Sequence, residues 1–111
     1  MSKLFPDHMP IGFQIYDIVE KEDPHAPDGE SVAGSVQFTS TTIQIEERMS
    51  EREKLIVLMH EIAHVLIKRS GRAENITFTE EDFCDIIGYG LTEILFQNPW
   101  LLKLLLRKNL T

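Results

Sequence analysis

The chain has 111 residues, with 18 acidic against 11 basic side chains and a net charge of −7, and its pI is near 5.0. That length suits one domain, residues 1–111, with a core of its own, and an acidic chain without clustered Lys and Arg excludes a nucleic-acid-binding surface. No apolar run approaches the ~18 residues of a membrane span, Met1 to Asp7 has no leader-like apolar core, and the single Cys84 makes no internal disulfide, so a cytoplasmic protein without a membrane partner is expected.

Taken in order, Met1 to Pro10 reads as irregular, with Pro6 and Pro10 in it and a solvated His8 to which no role is assigned. Gly12 to Val19 is rich in β-formers and predicts the first strand. Glu20 to Ser31 carries Pro24, Pro27, Gly29 and several charges and predicts an exposed loop that includes His25. Ser35 to Thr39 and Thr42 to Ile45 both alternate polar with apolar across Ser40-Thr41, which predicts a hairpin. The expected product is a small, largely antiparallel sheet with one free edge.

Ser50 to Arg69 is the longest apolar-periodic segment. Ser50-Glu51-Arg52-Glu53 has the form of a capping box, and Gly71 after Lys68 and Arg69 has the form of a helix end. Leu55, Leu58, Met59, Ile62 and Leu66 make one apolar face, while Lys54, Glu61 and Lys68 line a polar stripe. His60 and His64 fall between these faces beside Ile56, Val57 and Ile67, so the helix is expected to be covered on two sides, its histidines facing a second packed element.

Within that helix stands His60-Glu61-Ile62-Ala63-His64. Residues four apart share a helix face, so both imidazoles can reach one ion. In zinc hydrolases with this spacing the glutamate is not a ligand; it takes a proton from the water on the zinc as general base. The bland alternative is a pair of buried histidines held by backbone partners.

Beyond a connection over Arg72 to Thr77, Thr79-Glu80-Glu81-Asp82 opens a second helix with a Thr cap and an acidic first turn, running to about Gln97. Its expected apolar face is Phe83, Ile86, Ile87, Gly90, Leu91 and Ile94. Cys84 is expected to be a small buried helix residue rather than a ligand. A catalytic zinc wants a third protein ligand, and rotation about this helix favours Glu80, with Glu81 in reserve. Asp85 is a candidate to orient a histidine, though a solvated carboxylate is the simpler reading. After Asn98-Pro99, Trp100 to Arg107 predicts a short leucine-rich helix whose Trp100 to Leu106 surface serves the core or contacts a second copy or a host protein.

With these residues in place, the chain resembles the small phage or prophage-type members of the ImmA/IrrE-like zinc metallopeptidases, a zincin group. The resemblance rests on Leu58 to Leu66 around the histidine motif, on Glu80-x-x-Phe83, and on Gly88-Tyr89-Gly90-Leu91 with Asn98-Pro99. It implies Zn2+ held by His60, His64 and Glu80, with Glu61 as catalytic base. Many ImmA-type sequences carry a small residue three after the ligand glutamate, where this chain has Phe83. The expected architecture is α+β, a minimal zincin-like domain of a sheet on the central helix with a second helix behind it. The expected function is hydrolysis of peptide bonds in a protein or peptide substrate, as a regulatory protease of a phage or mobile element. The alternative is a catalytically silent protein of that fold that binds a host factor.

Overall fold

A computed structural model describes residues 3–71 and 77–107. The connection expected over Arg72 to Thr77 lies, but for Thr77, outside the described residues. Four strands and three helices follow in the order β1 (His8–Ile11), β2 (Gln14–Lys21), β3 (Gly34–Gln37), β4 (Thr42–Glu46), α1 (Glu51–Ser70), α2 (Glu80–Gln97) and α3 (Pro99–Leu105). The class is α+β. The sheet order is β1-β2-β4-β3, with β1–β2 and β3–β4 antiparallel and β2–β4 parallel.

The stretch Met1 to Pro10, read as irregular, holds a strand instead. Met9 and Ile11 are fully buried, and Pro10 between them is tolerated because β1 is an edge strand and needs no donor on its outer side. Gly12, at φ 63°, turns the chain so that Ile11 faces Gln14, and the strand expected from Gly12 begins two residues later. Tyr16 and Ile18 on β2, Val36 on β3 and Ile43 and Ile45 on β4 supply the buried face of the sheet, where period-two alternation puts them.

α1 covers that face with Leu55, Leu58, Ile62, Val65 and Leu66. The Ser50 hydroxyl accepts from Glu53 N–H, and Gly71 at φ 70° closes the other end by donating to Lys68 O. The expected polar stripe is where the reading fails. Lys54 and Glu61 are buried, because a partner waits for Lys54 on the sheet. Its Nζ donates to Glu20 Oε1 at 2.8 Å, the two side chains being 4% and 3% exposed. Glu20 also accepts from Leu4 N–H (2.9 Å) and Phe5 N–H (3.0 Å), so every charge-bearing atom of the pair has company. With Lys54 and Glu61 turned inward, Lys68 stays exposed, and His60 and His64 are exposed, not facing a second packed element.

α2 opens with a complete capping box between Thr79 and Asp82. Of its expected apolar face, Ile86 and Ile94 are buried but Phe83 and Ile87 are exposed; Gly90 lies so close to Leu66 that a Cβ there would overlap its side chain. Cys84 is exposed rather than buried, since it stands on the side of α2 away from α1. At the helix end, Gln97 exchanges hydrogen bonds with Gly12, and Asn98 Nδ2 donates to Pro10 O at 2.9 Å. The β1 edge is thereby held by α2. In α3, Leu101 and Leu104 join the core and Trp100 packs near Phe5, while Leu102, Leu105 and Leu106 are exposed.

Removing one partner of a buried ion pair leaves the other charge uncompensated. Lys54→Met is expected to cost about 3–5 kcal/mol, and Lys68→Met less than about 1 kcal/mol, when both are measured by urea unfolding.

Candidate metal centre

The site is built on the middle of α1, where one turn separates His60 from His64. Their Nε2 atoms are 3.2 Å apart, with ring centroids at 4.9 Å and planes at 74°. Two nitrogens at two corners of a tetrahedron, each about 2.0–2.1 Å from a zinc ion, stand about 3.3 Å apart. The pair therefore fits two corners of a zinc site, and exposure leaves room for further ligands.

Glu61 lies on the sheet side of this pair. It is 6% exposed, and its Oε2 is 4.0 Å from His60 Nε2. Burial pushes the Glu61 carboxyl above its ordinary range, and the neighbouring imidazoles only partly offset this. A carboxyl shifted in that direction is better matched to taking and returning a proton near neutrality than a solvated one.

Glycine makes this approach possible. At Gly34, the first residue of β3, a Cβ would overlap Val57 Cγ1 and stand 3.3 Å from Glu61 Oε2. Sequence reading missed Gly34 and Val57 as parts of the site; the one signal was a glycine heading an alternating strand. β3 is also the edge of the sheet. Glu46 N–H donates to Ala33 O at 2.9 Å, so by the alternation of antiparallel pairing Ser35 and Gln37 bond β4, whereas Gly34 and Val36 turn their N–H and C=O groups outward. Among the described residues no strand pairs with that side.

Glu80 and Glu81 occupy the first turn of α2 and are exposed. Among the described residues, no third His, Cys, Asp or Glu completes a metal-holding group of three with the histidines. Asp85 lines a cleft of about 240 Å³ between α1 and α2 with Leu66, Arg69 and Tyr89. His8 lies against Asp17 at 2.8 Å, and His25 near Asp23 at 3.7 Å.

The family model of the IrrE N-terminal-like domain, Peptidase M78, matches residues 18–85, which run from β2 through α1 into the second turn of α2. The chain belongs to this family, whose type is that of zinc metallopeptidases. No curated protein and no solved structure matches it. Among the described residues, no helix is long and apolar enough to cross a membrane.

Because folding raises the Glu61 pKa, the folded state favours the protonated carboxyl. Its contribution is fully present below the unfolded value near 4.5 and is lost as pH rises through the raised folded value. Metal-free Glu61→Gln, which keeps the shape without the charge, is expected to gain melting temperature over the wild type between pH 4 and pH 8, as thermal melts in a chelator will register.

Proposed function

We propose that the protein is a zinc-dependent peptidase in which His60, His64 and a carboxylate from the first turn of α2 hold the ion and Glu61 is the catalytic base. The observation that carries this reading is the pairing of two converging imidazoles with a buried carboxyl beside them on one helix. Bound there, zinc would polarise the scissile carbonyl and make water acidic enough to lose a proton near neutrality. Glu61 accepts that proton and later delivers it to the leaving amine, a cycle that its raised affinity for a proton supports. Gly34 and Val36 offer an extended substrate backbone donors and acceptors beside Glu61, which aligns a peptide without reading its side chains.

For the third ligand, Glu80 is our assignment on helix rotation and Glu81 the alternative. Cys84, a small residue, stands three after Glu81, as the resembling sequences have it, whereas Phe83 stands three after Glu80. The setting we propose is a cytoplasmic regulatory protease of a phage or mobile element, with no nucleic-acid or membrane partner. The exposed Leu102, Leu105 and Leu106 favour a second reading, in which this surface contacts a second copy or a host protein and the centre is catalytically silent.

Elemental analysis of the zinc-loaded wild type is expected to give about one zinc per chain. It should be lost in His60→Ala and weakened in only one of Glu80→Ala and Glu81→Ala. Hydrolysis of a mixed peptide pool should fall at least about 100-fold in Glu61→Gln with zinc retained. Full retention of hydrolysis would remove Glu61 from the chemistry, and absence of hydrolysis in the wild type would favour the binding role.

A further inference from the structure

The line along which β3 packs against α1 has two defined ends. At one, Gly34 lies against Val57 and Glu61. At the other, Lys68 Nζ stands 5.6 Å from the ring centroid of Phe38, the residue directly after β3. β3 therefore runs alongside α1 in the same sense, from Val57 toward Lys68, and His60 and His64 occupy the stretch between. His60, His64 and Lys68 recur at four-residue intervals and share one stripe of the helix.

Lys68 is the cation left over along this line. Lys54 is spent on Glu20 and Arg69 on Glu93, at 2.8 and 2.7 Å, whereas among the described residues no carboxylate pairs with the exposed Lys68. The end of a helix favours a cation in any case. What gives this one a further use is its place at the Phe38 end of β3, its ammonium held over an aromatic ring. From Glu61 to Lys68 is seven residues, about 10 Å along the helix, a span that about three extended residues cover.

Building on the peptidase reading above, we propose that Lys68 is a specificity-determining residue that selects substrates with a carboxylate about three residues from the bond to be cut, on the Phe38 side. The carboxylate is an Asp or Glu side chain or the free C-terminus of a short product-like peptide. Substrate backbone is gripped by the β3 edge, and Lys68 sets the register along it by pairing with the acid. An exposed ion pair of this kind is worth a modest preference, about two- to fivefold.

Binding and cleavage test it separately. Zinc-loaded Glu61→Gln protein is titrated with fluorescently labelled extended peptides that differ only by Glu, Gln or Lys at each position in turn, and with free or amidated C-termini. The expected result is about two- to fivefold tighter binding of the acid at one position, flattened by Lys68→Met, turned to a preference for Lys by Lys68→Glu, and kept by Lys68→Arg. The amidated peptides tell a side-chain acid from a C-terminal one. Equal binding of Glu and Gln peptides, discrimination that survives Lys68→Glu, or no binding of any peptide overturns the proposal. Cleavage of a peptide pool by the wild type then separates it from the reading beneath it. Cleavage without an acidic preference defeats the role of Lys68 alone, and acid-selective binding with no cleavage defeats the peptidase reading while the acid-selecting surface stands.

Discussion

Lys54 and Glu20 are nearly excluded from water, and their ion pair fixes how α1 is turned over the sheet. Burying both charges is costly, and the cost is met only because Glu20 also takes the backbone N–H groups of Leu4 and Phe5. Seven residues on, nearly two full turns, Glu61 must face the same way. It meets the glycine at the head of β3, and its burial follows from a contact more than 10 Å away along the helix. The histidines, about 60 to 100° off that line, are turned outward by the same rotation. One buried pair thus places both halves of the site, the carboxyl inside and the imidazoles at the surface.

The two edges of the sheet are treated differently. The β1 edge, which carries Pro10, is held by Gln97 and Asn98 at the end of α2. The β3 edge, next to Glu61, keeps the outward backbone groups of Gly34 and Val36. An open edge beside a reactive centre is where an extended chain can be added as a further strand, whereas an open edge elsewhere would invite aggregation. The family match runs from within β2 to the start of α2 and leaves β1 and α3 outside it.

Much of this was legible in the residues. Ser50, Gly71 and Thr79 mark helix ends by local chemistry that no tertiary contact overrides, and the four-residue spacing of His60 and His64 dictates a shared face on any helix. The orientation of that helix was not legible. Lys54 and Glu61 read as solvated because charged residues usually are, and the group that reverses this, Glu20, stands 34 residues away in what reads as the start of a loop. β1 was hidden by Pro10, whose missing donor matters only inside a sheet. Gly34 carried no chemical signal, since its contribution is the absence of a side chain. Glu80 and Glu81 differ by one step at an exposed helix start, so residue type and helix phase alone separate them in the sequence.

The central claim is that α1 aims two imidazoles at a single ion. The X-ray absorption spectrum of the protein loaded with one equivalent of zinc tests it without any substrate. The account predicts two imidazole nitrogens about 2.0–2.1 Å from zinc, with oxygen donors completing a low-coordinate shell. A six-coordinate shell of oxygens, or a shell with one imidazole or none, would contradict it.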